Sequence, residues 1–206
     1  MPGKRIIAVF DFDGTLVRGD SFIEFARFAV KPWRLVVAVL RVSPSLIRWK
    51  LGRLSGSVAK ERLFSALFRG CRLKWFNMRG EEFAGWIDAH VCPPVLRRLE
   101  ECNHRGYTTC IVSASLTNWI APWAKKHGVV QVIATEPAAN CGRLTGRFST
   151  KNCIGKEKVE RLKAIFPNRG EYILEVWGDS AGDNELMAYA DCAYKVDYKL
   201  NTIEKI

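Results

Sequence analysis

Five consecutive apolar residues, Ile6-Ile7-Ala8-Val9-Phe10, stop abruptly at Asp-Phe-Asp-Gly. A short continuous apolar run closed by turn residues predicts a strand buried on both faces, as in a parallel sheet. From 21 to about 90 the pattern changes to helical spacing. It is punctuated at Lys31-Pro32, Ser43-Pro44, Leu51-Gly52, Ser55-Gly56-Ser57 and Arg79-Gly80, which predicts four or five short helices and no strand. Past Cys92-Pro93-Pro94 the run VLRRLEECNHRG predicts a helix with proline at its start and Gly106 beyond its end. A β/α alternation follows. Strands are expected at 108–112, 129–134, 172–177 and 192–196, helices at 116–127, 156–166 and 184–190, and a hairpin or turn at CGRLTGRF.

Such alternation implies an α/β fold with a doubly wound, Rossmann-like parallel sheet and helices on both faces. The core is expected from 1–17 and 91–206, with a small all-helical cap, 18–90, inserted after the first strand. Ligands in these sheets bind beyond the carboxyl ends of the strands. Asp11, Ser113 and Asp179 each fall at such an end.

With 206 residues, 48% hydrophobic and 26% charged, the chain can bury a full core. The seven cysteines are odd in number and form no CxxC pair, which argues against a disulfide framework or zinc knuckle and for a reducing, cytoplasmic setting. His90, His104 and His127 are too far apart in sequence to suggest a metal site or a triad. The apolar stretch at the start is too short for a secretory leader. The run 35–40, bounded by Arg34 and Arg41, falls far short of the roughly 20 residues of a spanning helix.

Charge is distributed unevenly. Residues 18–80 hold fourteen Lys or Arg against three acids, which is the whole of the chain's formal +11. Whatever the basicity serves, the helical segment serves it.

The strand ends carry the candidate chemistry. IAVF-DFDGT, CIVS-AS and LEVW-GDSAGD bring Asp11, Asp13, Asp179 and Asp183 toward one crevice if their strands are neighbours. Four carboxylates in one place repel unless a hard divalent cation sits among them, and Mg²⁺ prefers such oxygens. The glycine at the fourth position excludes a calcium loop of the EF-hand type.

Asp11-Phe12-Asp13-Gly14-Thr15, Val112-Ser113, a lysine on the helix at 156–166, and Gly178-Asp179 with Asp183 resemble the four motifs of the haloacid dehalogenase superfamily of phosphohydrolases. The insertion after the first motif is similar to the subclass containing phosphoserine phosphatase and a bacterial phosphatidylglycerophosphatase. The resemblance implies a Mg²⁺-dependent phosphomonoester hydrolase. Asp11 would be the nucleophile that becomes an aspartyl phosphate, and Asp13 the proton donor and later base. Mg²⁺ would be held by the Asp11 and Asp179 carboxylates and the Asp13 main-chain carbonyl. Thr15, Ser113 and a lysine would hold the phosphoryl group. Lys158 fits the family's apolar spacing through Leu162, and Lys156 is the alternative. Asp183 would partner the lysine or a metal-bound water, although Gly182 stands where relatives often carry Asn. Asp13 itself argues against a dehalogenase, whose halide leaving group needs no proton.

For the substrate, Asp20 occupies the place where phosphoserine phosphatases carry a glutamate and lipid-phosphate relatives an aspartate. In 33–49 tryptophans lie near both ends and Arg34 and Arg41 on one line, as in a helix lying in a headgroup interface. The expected substrate is therefore a lipid-linked or amphiphilic phosphate, with peripheral contact at the inner face of an anionic membrane. Two alternatives stand beside it: the same chemistry on a small soluble phosphate such as phosphoserine, and a non-catalytic basic protein binding membrane or nucleic acid. No recognised nucleic-acid module accompanies the charge, which argues against nucleic acid.

Overall fold

The computed structural model describes residues 4–206. Residues 1–3, which include the start of the expected core and of the expected leaderless N-terminus, lie outside the described residues. Chain order runs β1 (Arg5–Phe10), α1 (Ser21–Ala29), α2 (Pro32–Lys50), α3 (Gly56–Phe68), α4 (Leu73–Ala89), α5 (Pro93–His104), β2 (Thr108–Leu116), α6 (Thr117–Lys126) and β3 (Gln131–Thr135). It continues with β4 (Pro137–Asn140), β5 (Arg143–Phe148), α7 (Lys156–Ile165), β6 (Tyr172–Gly178), α8 (Asn184–Tyr189), β7 (Cys192–Asp197) and β8 (Thr202–Lys205).

The main sheet has the order β3-β2-β1-β6-β7-β8, parallel except for β8. The apolar run places β1 between β2 and β6, with Phe10 level with Ile111 on one side and Trp177 on the other. Alternate residues serve opposite faces. Ile7 and Val9 pack with Val112, Leu174 and Leu162, while Ala8 and Phe10 face Leu99, Cys102 and Trp177. Phe10, Trp177 and Tyr194 stack in a row, with ring centroids 4.5 and 4.7 Å apart. Burying each large side chain stabilises the fold by about 1.5–3 kcal/mol.

The second apolar cluster runs without a break from the sheet face into α1, α3 and α4. Its hub is Phe25, stacked on Trp119 at 4.5 Å and edge-on to Phe76 and Phe83 at 5.2 and 5.4 Å. Gly80 lets α4 press onto α6, since a Cβ there would sit 2.3 Å from the Asn118 carbonyl oxygen.

Three features differ from the sequence expectation. Helices α2 and α4 continue through Pro44 and Arg79-Gly80 instead of breaking there. Pro44 cannot donate to the carbonyl of Leu40, and the Ser43 hydroxyl supplies that bond at 2.8 Å. Strand β2 runs on to Leu116, past a register shift after Ser113. Strand β8 was not expected, because its Thr-Ile-Glu-Lys is a largely exposed, antiparallel edge strand with no apolar run to mark it. The stretch CGRLTGRF supplies the turn and second strand of a hairpin, β5, whose first strand, β4, precedes it.

Candidate active site

Because β1 lies between β2 and β6, Asp11, Ser113 and Asp179 meet at the carboxyl edge of the sheet. The Asp11 amide donates to the Trp177 carbonyl at 2.9 Å, which holds the chain in register one residue beyond the strand. The loop then folds back on itself through Gly14 N–H to the Val17 carbonyl and Val17 N–H to the Phe12 carbonyl, at 2.7 and 2.9 Å. Gly14 has φ +78°, and a Cβ on it would lie 2.2 Å from Asp179 Oδ2. Only glycine accommodates both the left-handed backbone and that approach. Thr15, fully buried, donates its hydroxyl to Asp179 Oδ1 at 3.3 Å.

Lys158, on the first turn of α7, is 2% exposed. Its Nζ donates to Asp11 Oδ1 at 2.7 Å and to Asp183 Oδ1 at 2.5 Å. Lys156 is exposed at the start of the same helix and makes no such approach. Asp183 is itself fixed, accepting from the Ser180 amide at 3.2 Å and hydroxyl at 3.0 Å. Burial works to strip the proton from Lys158, but Asp11 and Asp183 outweigh it and hold its pKa above the usual lysine range. Burial pushes Asp11 up to about 7 against the pull of Lys158, with Asp183 adding to the rise. Burial followed by the charge of Asp183 raises Asp179 to about 6. A single ammonium thus leaves this acidic group under-neutralised.

A second network surrounds Asp13. Its carboxylate accepts from the Ser115 hydroxyl, and from the Ser21 amide at 2.9 Å. Ser21 Oγ in turn donates to Ser115 Oγ at 3.1 Å and accepts from Trp119 Nε1 at 3.0 Å. Burial, with the Asp20 charge next, raises the Asp13 pKa against Lys60 and these hydrogen bonds. Lys60 donates to the Ala114 carbonyl at 2.9 Å and lies over the Phe22 ring at 5.0 Å. Burial depresses its pKa, opposed by Asp13 and Asp20. Asp20 caps α1, its Oδ1 accepting from the Phe22 and Ile23 amides at 2.9 and 3.2 Å. Ser113 is buried and its Oγ accepts from the Ser115 amide at 3.0 Å, so its hydroxyl hydrogen stays available.

The structure therefore gathers Asp11, Asp13, Thr15, Ser113, Lys158, Asp179 and Asp183 at one edge, with Asp20 on its rim and Lys156 outside. Ser21, Ser115 and Lys60 are additional members. Lys60 carried a legible signal, being a lysine inside the apolar stripe Ala59, Leu63, Phe64 and Leu67 of α3. Carboxylate oxygens of Asp11, Asp179 and Asp183 all lie within 4.8 Å of one another. An all-oxygen, under-neutralised donor set of this kind fits a hard divalent cation such as Mg²⁺.

Beside this edge, between α1, α2 and α3, lies a cavity of about 460 Å³. Its outer wall is apolar, formed by Ile23, Leu46, Trp49, Leu63 and Ile154, and its inner end carries Asp20, Lys60 and Ala114. Ala114 lies between Ser113 and the Asp13 partner Ser115, so the cavity adjoins the acidic site. Among the described residues no helix is long and apolar enough to cross a membrane.

A model of haloacid dehalogenase-like hydrolases matches residues 8–188. Protein CicA of Caulobacter vibrioides is 30% identical over 193 residues, covering 93% of this chain and 86% of that protein. Among solved structures, a protein of unknown function from Bordetella pertussis Tohama I superposes with a TM-score of 0.75 at 22% identity, over 93% of this chain and 89% of that one. A phospho-aspartyl intermediate analogue of phosphoserine phosphatase superposes with a TM-score of 0.66 at 21% identity, over 97% and 92% of the two chains. The doubly wound fold expected from the alternation is the fold of these structures. The family model spans most of the sequence, and the chain belongs to the haloacid dehalogenase-like hydrolases.

Proposed function

We propose that the protein hydrolyses a phosphate monoester through an aspartyl-phosphate intermediate, and that the ester is lipid-linked or amphiphilic. One observation carries this reading: the buried Asp11 and half-buried Asp13 adjoin a mainly apolar cavity rather than open water. Asp11 would attack phosphorus in line, and Asp13 would give a proton to the departing alcohol. Its raised pKa and its grip by Ser21 and Ser115 support the acid role. Asp13 would then take a proton from the water that splits the intermediate and releases phosphate. Lys158 would neutralise the phosphoryl oxygens and Ser113 would hold one of them, with Thr15 steadying Asp179. Asp11, Asp179 and the Asp13 main-chain carbonyl would hold Mg²⁺, with Asp183 behind them. When bound, that ion supplies the positive charge that lets an anionic nucleophile approach an anionic ester.

Residues 18–90 would act as the cap, supplying Asp20, Lys60 and the apolar cavity wall. Its helix α2 supports peripheral contact with an anionic membrane. Trp33, Val36, Leu40, Ile47 and Leu51 point outward, with Arg34, Arg41 and Arg48 in a column along one flank.

A second reading, a small soluble ester such as phosphoserine, is favoured by the opposed charges of Asp20 and Lys60, which suit an amino group and a carboxylate. Phosphate release with Mg²⁺ from phosphatidate and lysophosphatidate, set against phosphoserine, separates the two. The amphiphilic reading expects kcat/KM at least tenfold higher for the lipid esters. Preference for phosphoserine would replace it, and absence of turnover on every ester by folded protein would remove the hydrolytic reading.

A further inference from the structure

On the outer side of the inserted helices, α2 and α3 enclose a hollow of about 510 Å³ that the hydrolytic site does not use. Arg41 and Ser45 line it from α2, Arg62 and Ser65 from α3, and Arg69 from the residue that ends α3. The spacing explains the convergence, because residues four apart, and seven apart, share a helix face. Two residues further than Lys60 along α3, Arg62 points away from the catalytic cavity. Its Nη1 donates to the buried Ser45 hydroxyl at 2.6 Å, which pins one guanidinium across the seam between the helices.

Among the described residues Arg41 and Arg69 have no carboxylate partner. The nearby Glu61 is engaged by Arg147 at 3.6 Å. A neighbouring hollow of about 520 Å³ shares Arg62, Ser65 and Arg69 and is closed on its far side by the pair of Glu61 and Arg147 of β5. Gly146 lets that hairpin close in, since a Cβ there would lie 2.5 Å from Ser65 Oγ. Three arginines lining one hollow repel one another, and among the described residues only Arg62 is tied to the fold there, through Ser45. They do match the paired oxygens of a phosphate, which arginine binds through two parallel N–H bonds.

The hollow also has a defined neighbour. Arg41 belongs to the arginine column that flanks the exposed ridge of Val36, Leu40 and Ile47, so a phosphate seated there has apolar side chains standing beside it. A phospholipid presents that combination, with a headgroup phosphate at the surface and acyl chains beneath it. We infer that Arg41, Arg62 and Arg69, with Ser45 and Ser65, form a headgroup site for an anionic phospholipid, distinct from the catalytic crevice, which seats α2 on the membrane. This rests on the membrane contact proposed for α2 and not on the hydrolytic reading.

The test is co-sedimentation of the full chain with phosphatidylcholine vesicles, with and without phosphatidylglycerol. The wild type, the triple variant Arg41→Gln/Arg62→Gln/Arg69→Gln and the charge-matched control Arg97→Gln/Lys125→Gln/Lys199→Gln are compared. Thermal unfolding selects folded samples. The wild type is expected to bind only the phosphatidylglycerol vesicles, the arginine variant to bind roughly a hundredfold more weakly, and the control within threefold of wild type. The triple variant to lysine, which keeps the charge and is the milder test of folding, should lose about tenfold because the paired N–H bonds are gone.

Equal losses in the arginine variant and the control, or full binding by the lysine variant, would reduce the hollow to diffuse charge and overturn the site. Titration with inorganic phosphate, and separately with an RNA oligonucleotide, covers other sources of the same chemistry. Arginine-dependent binding of either without vesicle binding would overturn the lipid assignment. Turnover of a soluble ester by the wild type reports on the hydrolytic reading independently.

Discussion

At the carboxyl edge of the sheet Asp11, Lys158 and Asp183 are charged groups held inside the protein with Asp13 half-buried beside them, whereas Trp33, Val36, Leu40 and Ile47 along α2 are apolar groups held outside it. The buried charges are tied to one another, with Lys158 bridging Asp11 and Asp183 and Asp13 gripped by Ser21 and Ser115. Each therefore depends on its partners, and losing one leaves the others uncompensated where burial has already removed most of their hydration. Among the described residues the outer side chains of α2 stay exposed, since the helix is anchored through Ala38, Val42 and Ser45 on its opposite face. One region has its geometry fixed by the fold and the other is free to meet something outside it.

Substitution at Asp11 should have the gravest consequence for turnover. Asp11→Asn keeps the size of the side chain and an acceptor for Lys158, so the fold should survive while turnover falls by about 10⁴-fold or more. Phosphate release and thermal unfolding measured on one sample check both halves. Next is Lys158→Met, which strands two buried carboxylates. It should cost about 3–5 kcal/mol in denaturant unfolding and lower kcat by roughly 10²–10³-fold. Adding Asp183→Asn should recover part of the stability and none of the turnover. Recovery of both would make Lys158 a structural residue only.

Smaller effects are expected toward the cavity and outward. Lys60→Met should raise KM for the preferred ester about tenfold while kcat changes less, as befits a buried cation that meets the substrate beyond phosphorus. An equal fall in kcat alone would place it with the acid Asp13 instead. On α2, the pair Val36→Ser and Leu40→Ser should shift unfolding by no more than about 0.5 kcal/mol and still weaken vesicle binding. A large loss of stability would show that the ridge is packed in solution.

The two regions were unequally legible in the sequence. The apolar run at β1, the punctuation by Asp-Phe-Asp-Gly and the β/α alternation sufficed for the fold, because continuous burial on both faces leaves a strong local pattern. Asp11, Asp13, Asp179 and Asp183 stood out for the same reason, as acids closing apolar strands. Ser21 and Ser115 did not, since a serine that grips a carboxylate from a distant segment has no local signature. Pro44 reads as a break because Ser-Pro also favours turn initiation, whereas here the Ser43 hydroxyl rescues the helix. The preference for Lys158 over Lys156 was legible through Leu162 one turn later, because α7 buries Lys158, Val159 and Leu162 on one face.

The central claim is that the acid edge hydrolyses phosphate esters through Asp11, and trapping the phosphorylated chain tests it most directly. Wild type and Asp11→Asn are incubated with Mg²⁺ and a ³²P-labelled phosphomonoester, quenched in acid, and digested for peptide mapping. The account predicts acid-stable, hydroxylamine-labile label on the peptide carrying Asp11 in the wild type and none in the variant. Turnover without any such label, or label that persists in Asp11→Asn, would contradict it.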